Sequence, residues 1–347
     1  MSKVAVVTGG TSGIGKQTAL ALKAAGYTVY ELSRRAQGVE GLHHLVADIT
    51  REEMVDAAIG EVLRQEGHID VVVNNAGFGI SGAIEFTKTE DAKRLFDADF
   101  FGMVNVNRAV IPHMRQAGAG RIVNLSSVAA AAPIPFQAYY SAAKAAVNSY
   151  TMALANELRP YGVTVCAVQP GDIHTGFTAA REKTIDGDDV YGGRISRSVA
   201  RMEHDEQTGM DPAKAGAFIA KVAMKQRVKP IYTIRFDYQF LALLTRILPY
   251  RFLNWLIGVI YGKCGICAPM AHKLCAQQTA SLLSEKPGVF FDSLKRPIGM
   301  AGGAFFPGEE GMCGALNSGR GGRPPSEGPL RLGRVSFSVP ASFHRRR

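Results

Sequence analysis

Ser127, Tyr140 and Lys144 have the residue types and spacing to move a proton. Tyr140 and Lys144 stand four apart in a helix-compatible run from Tyr140 to Ala155, so one helical turn brings them to the same face. A phenol with a pKa near ~10 is a poor relay at neutral pH, but a neighbouring ammonium stabilises the phenolate and lowers that value toward the working range. Tyr140 would then give a proton to a carbonyl oxygen as hydride reaches the carbon, or take it back in the reverse direction. Ser127, which ends the run Asn124-Leu125-Ser126-Ser127, would donate a hydrogen bond to the same oxygen. A Tyr and a Lys at this spacing also describe an ordinary exposed helix pair, so the reading depends on what accompanies them. Tyr139, five positions from Lys144, lies round the helix and reads as a packing residue.

The companion is a nucleotide-binding turn. Directly after the apolar run Val4–Thr8 comes Thr8-Gly9-Gly10-Thr11-Ser12-Gly13-Ile14-Gly15, with a helix beginning behind it. Here one glycine permits a tight turn, another lets the backbone approach a pyrophosphate, and the last lets helix and sheet pack closely. The helix N-terminus adds free amides and a positive dipole for the phosphates. Gly9, Thr11, Ser12, Gly13, Ile14 and Gly15 are therefore candidate cofactor residues. At the end of the second β-rich run stand Ser33, Arg34 and Arg35, where a dinucleotide fold meets the adenosine ribose. An acid there would accept from both ribose hydroxyls and favour NAD(H); arginines pair with a ribose phosphate and favour NADP(H). Two solvated surface cations are the plainer alternative.

These groups need a scaffold, and the first half of the chain supplies one. Short β-branched runs at Val4–Thr8, Thr28–Ser33, His44–Ala47, Val71–Asn74, Arg121–Ser126 and Thr164–Gln169 alternate with helical patterns such as Gly15–Ala25. Runs such as Val71-Val72-Val73 lack a polar alternate, as strands covered on both faces do. The predicted class is α/β, an open, doubly wound parallel sheet of the Rossmann type. Phe177–Asp211 reads as a charged, glycine-bearing loop over the substrate site, and Pro212–Lys225 as helix. Residues 236–262 are rich in Leu, Ile and aromatics but carry Arg246 and Arg251 and are broken by Pro249. A membrane span is disfavoured, leaving two amphipathic helices that either pack on the domain or attach at a membrane surface.

Three segments result: a catalytic domain over 1–235, a helical extension over 236–262 and a Gly/Pro-rich basic tail over 263–347 that reads as disordered. The net charge of +10 is concentrated in that tail, where 12 Lys and Arg face 5 acids, so the folded part carries about +3 and gives no sign of nucleic-acid binding. Five cysteines, Cys166, Cys264, Cys267, Cys275 and Cys313, are odd in number and unevenly spaced, which fits a reducing, cytoplasmic compartment better than a disulfide framework. The N-terminus enters a strand at once, with no signal-peptide pattern. Cys264, Cys267, His272 and Cys275 look like a zinc knuckle, but the spacing is short and no metal is expected.

With Thr8–Gly15, Asp48, Asn74-Asn75-Ala76-Gly77, Ser127, Tyr140/Lys144 and Pro170-Gly171-Asp172-Ile173-His174-Thr175 in this order, the chain resembles the short-chain dehydrogenase/reductase family over roughly 3–235. The resemblance implies oxidoreduction of a carbonyl/alcohol pair and a homodimer or tetramer. It also implies Asp48 near the adenine, Asn75 (with Ala76 and Gly77) near the adenosine ribose, Tyr140 and Lys144 on the nicotinamide ribose, and Ile173 and Thr175, after Pro170 and Gly171, at the carboxamide. The Ser-Arg ending and the lipophilic C-terminal region look like the NADP-preferring branch acting on steroid- or retinoid-like alcohols and ketones. His174 reads as a structural loop residue. One departure stands out: the family's usual Asn is Asp99 here. Its main-chain carbonyl can serve the same proton relay, while its side-chain charge near Lys144 is expected to alter the pH profile modestly. A competing expectation is a cofactor-binding redox sensor or scaffold without turnover.

Overall fold

The computed structural model describes residues 2–262. Seven strands form one parallel sheet in the order β3-β2-β1-β4-β6-β7-β9. They are β1 (Lys3–Thr8), β2 (Tyr27–Ser33), β3 (His43–Val46), β4 (Val71–Asn74), β6 (Gly120–Leu125), β7 (Val163–Gln169) and β9 (Ile231–Thr233), while β5 (Ile80–Ser81) and β8 (Glu182–Lys183) make a separate two-stranded ladder. The helices are α1 (Gly13–Ala24), α2 (Glu52–Glu66), α3 (Thr89–Phe96), α4 (Gly102–Ala117), α5 (Ala138–Leu158), α6 (Phe177–Ala180), α7 (Arg194–Gln207), α8 (Pro212–Ala223), α9 (Phe236–Ile247) and α10 (Tyr250–Gly262). The doubly wound architecture expected from the sequence is the one observed.

Both faces of the sheet are covered, which explains the uninterrupted apolar runs. Val4, Val6, Tyr30, Leu32 and Val72 pack with Ile59 and Val62 of α2, Val106 and Val110 of α4 and Leu154 of α5. On the opposite face Ala5, Val7, Val71 and Val73 meet Leu22 of α1 and Ile219 of α8. Asp211 starts α8 by accepting from the Ala213 amide at 2.7 Å, with Pro212 at the first helical position.

The loop expected over Phe177–Asp211 is corrected: α6, β8 and α7 occupy most of it. The period of α7 is present as Ile195, Val199 and Met202, all buried, but the intervening Arg, Ser, Glu and Asp residues hide it. Its start is fixed from a distance, because Asp188 accepts from the amides of Ile195 and Ser196 at 2.8 and 3.1 Å. The extension forms two helices parted at Pro249, as expected. Among the described residues no helix is long and apolar enough to cross a membrane, and no group of three or more His, Cys, Asp and Glu could hold a metal. The tail and the zinc-knuckle pattern lie outside the described residues.

Candidate active site

The strand order reverses between β1 and β4, and a cleft of about 990 Å³ opens at the carboxyl ends of the strands there. Gly9, Thr11, Ser12, Gly13 and Ile14 line one end. Gly9 has φ +66°, and a Cβ on it would lie 3.0 Å from the Ala76 Cα. Gly15 does not line the cleft; a Cβ there would sit 2.4 Å from the Gly9 carbonyl and from Asn75 Nδ2, so its part is the close packing of helix on turn. Ser33, Arg34, Arg35 and Asp48 line the same end, and the Ser33 hydroxyl is buried without a partner. A backbone cradle, two arginines and an unsatisfied donor fit a dinucleotide phosphate end. Asn75, Ala76 and Gly77 line the cleft, and the Asn75 side-chain amide also braces the turn, donating to the Thr8 carbonyl at 3.1 Å. Pro170, Gly171, Ile173 and Thr175 line the far side, and His174 is exposed.

Ser127, Tyr140, Lys144 and Asp99 converge on the cleft floor. Ser127 stands two residues beyond the end of β6 and lines the cleft with Tyr140, and its Oγ accepts from the Ala129 amide at 3.2 Å. Lys144 Nζ lies 5.5 Å from the centre of the Tyr140 ring and donates to the Leu125 carbonyl at 3.3 Å. The helix is fixed to β6 where Ser126 Oγ donates to the Lys144 carbonyl at 3.0 Å. Asp99 sits in a π-helical turn, Asp97–Phe101, between α3 and α4. Such turns re-aim a side chain out of the helical register.

The Asp99 side chain, and not only its main chain, enters the site. Its Oδ2 lies 2.9 Å from Lys144 Nζ and its Oδ1 accepts from the Phe78 amide at 2.8 Å, all of it buried. Burial pushes the Asp99 carboxyl up, with Lys144 pulling the other way; burial pushes the Lys144 ammonium down, but Asp99 and Tyr140 together hold it above its ordinary value. For Tyr140 the expectation that lysine dominates is corrected: burial raises the phenol and Asp99 adds to that, outweighing the lowering by Lys144 and Ser127. The lysine acts in the expected direction against a larger desolvation cost.

This arrangement can be compared with known proteins. The family model for short chain dehydrogenases matches residues 3–186. The chain belongs to the short-chain dehydrogenase/reductase family. Among relatives, the 3-ketodihydrosphingosine reductase of Bacteroides thetaiotaomicron is 40% identical over 228 residues, covering 65% of this chain and 84% of its own length. The structure of ElxO with NADP bound aligns at a TM-score of 0.59 with 27% identity, over 69% of this chain and all of that one. A 3-ketoacyl-(acyl-carrier-protein) reductase from Brucella melitensis, complexed with NADH, aligns at 0.57 with 28% identity, over 67% and 96%. This short-chain dehydrogenase is thus an NAD(P)-dependent enzyme interconverting carbonyl and alcohol groups of small molecules.

Beyond the family motifs, this dehydrogenase lines the cleft with residues that sequence reading did not find. Phe78 and Phe177 stand near the Tyr140 end, the Phe177 ring 5.9 Å from that of Tyr140, and Met202, Glu206 and Tyr261 come from α7 and α10. Glu206 accepts from Thr178 Oγ1 at 2.6 Å and pairs with the buried Arg181. Arg94 bridges Asp91 and Glu182 at 2.9 and 2.5 Å. The apolar period of α7 was the one signal available; Tyr261 carried none, since a helix end shows no sign of which cleft it reaches.

Proposed function

We propose that this chain is an NADP(H)-dependent reductase, or dehydrogenase in reverse, for a lipophilic carbonyl/alcohol pair, using Tyr140 as acid-base, Lys144 as its electrostatic partner and Ser127 as oxygen donor. The observation that carries the reading is one cleft joining the arginine end at Arg34 and Arg35 to the Ser127–Tyr140–Lys144 floor. When bound, the nicotinamide supplies or accepts the hydride. The chain's own residues do the rest: Ser127 and Tyr140 hold the carbonyl oxygen, and Tyr140 gives it a proton as charge develops. Lys144 stabilises the phenolate left behind, and Phe78, Phe177, Met202 and Tyr261 form an apolar wall for the substrate. The Bacteroides relative directs the substrate search to long-chain ketones. The deciding experiment is NADPH consumption with a panel of short- and long-chain ketones; binding of NADPH without turnover of any of them would defeat the reading.

The cofactor preference rests on Arg34 and Arg35. Charge-assisted hydrogen bonds contribute roughly 1.5–3 kcal/mol each. Arg34→Ser with Arg35→Ser should therefore weaken NADPH binding by at least about tenfold, with NADH binding unchanged, in a fluorescence titration of the two cofactors.

Two larger-scale features belong to the same reading. Phe236, Phe240, Leu243 and Ile247 form a stripe along α9, each at least half exposed, and Tyr250, Phe252 and Trp255 continue it on α10. Within 236–262 Asp237 is the lone acid, against Arg246 and Arg251. An apolar, aromatic and basic face fits the surface of an anionic bilayer, from which a lipophilic substrate reaches the cleft past Tyr261. Trp255 is the single tryptophan. Its emission should shift to the blue with anionic vesicles and stay put with Phe240→Glu/Leu243→Glu, whereas a shift that survives those changes would place the contact elsewhere. Self-association, implied by the family resemblance, would use the long helices α4 and α5, beside which Phe101 and Met152 lie exposed.

A further inference from the structure

Glu31 is a carboxylate in the middle of β2, fully buried, and the mechanism makes no use of it. It shares with Val29 the sheet face opposite Tyr30 and Leu32. An isolated charge there is costly, so its partners matter. In the parallel register Glu31 stands opposite His44 of β3, and Glu31 Oε1 lies 2.5 Å from His44 Nδ1. The other ring nitrogen, His44 Nε2, faces the Arg35 carbonyl at 3.0 Å. Glu31 Oε2 is left buried without a partner. The two side chains therefore sit against the loop joining β2 to β3 and tie it at the Arg35 carbonyl. The fit is close: a Cβ on Gly38 would come within 2.4 Å of the His44 Cβ, and one on Gly10, in the phosphate turn, within 2.5 Å of the Glu31 Cβ. Neither Glu31 nor His44 lines the cleft, whereas Ser33, Arg34 and Arg35 do.

We infer that Glu31 and His44 are a positioning pair for cofactor selectivity, locking the arginine loop to the strand and to the glycine turn so that Arg34 and Arg35 stand at a set distance from a ribose phosphate. The inference rests on the NADP(H) reading above. A long cationic side chain on an untethered loop loses much of its binding energy to ordering. A tether at the Arg35 carbonyl removes part of that loss only for a ligand that the arginines touch. Selectivity, and not cofactor affinity in general, should therefore depend on the pair.

The test is equilibrium binding of NADPH and NADH, followed by cofactor fluorescence without substrate, for the full chain and for His44→Phe, Glu31→Gln and Arg35→Ser. His44→Phe keeps a ring in the site but removes both polar contacts. It should weaken NADPH about tenfold and leave NADH within about twofold. Glu31→Gln keeps an oxygen for His44 and should retain most of the preference. Equal weakening of both cofactors in His44→Phe, or no change in either, overturns the inference while Arg35→Ser still loses NADPH. If the unaltered chain binds NADH as tightly as NADPH, the NADP(H) reading fails first and the positioning role with it.

Discussion

Replacing Tyr140 by Phe should lower ketone reduction about a thousandfold, within the range of an acid-base group, while NADPH binding changes by no more than a few-fold. The hydroxyl is the group that carries the proton, and the phenylalanine ring can keep the contacts with Phe177 and beneath Lys144. The pH dependence separates a proton donor from a packing residue. Burial and Asp99 hold the phenol above its ordinary value, so Tyr140 is protonated throughout the neutral range. Reduction, which needs the acid, should stay level through neutrality and fall only at alkaline pH; oxidation, which needs the phenolate, should rise toward alkaline pH. Rates of both directions across pH, with single-turnover measurements for the Phe variant, give the check. A variant within tenfold of the parent would remove Tyr140 from the chemistry.

The parts of this site that were legible in the sequence share one property: their meaning is local. The glycine turn, the Ser33-Arg34-Arg35 ending and the Tyr140/Lys144 helical spacing each describe a few consecutive residues whose backbone conformation sets their chemistry. So do the strands, because a run such as Val71–Asn74 has to be covered on both faces to be stable. Contacts decided by tertiary packing were not legible. The relation of Glu31 to His44 depends on strand register, Glu206 reaches the cleft on a helix whose period is masked by charge, and Tyr261 arrives from the end of the extension. The balance of effects on Tyr140 belongs to the same group. Its sign depends on how much water the fold removes, which the spacing of a tyrosine and a lysine does not contain.

Asp99 and Lys144 make the second large prediction, because a buried ion pair resists the loss of one partner more than the loss of both. Lys144→Met should destabilise the fold by about 3–5 kcal/mol near neutral pH, a fall in melting temperature of roughly 10 °C, since it leaves the Asp99 carboxyl buried with only the Phe78 amide as donor. The sign with pH follows from the direction of the shift. A carboxyl raised in the folded state binds a proton there that the unfolded chain releases, so stability falls as pH rises from the ordinary carboxyl value, near ~4, through the raised folded value. Lys144→Met should accordingly recover stability on acidification. Adding Asp99→Asn removes the orphaned charge and should restore most of the melting temperature at neutral pH while leaving activity as low as in Lys144→Met, because the phenolate still lacks its cation. Asp99→Asn alone keeps that cation and removes the negative charge that raises Tyr140. Its oxidation limb should therefore move to lower pH. Melting curves at two pH values and pH-rate profiles for the three variants decide the matter: a double variant no more stable than Lys144→Met, or an Asp99→Asn profile superimposable on the parent's, would show that the pair does not set the charge balance of the site.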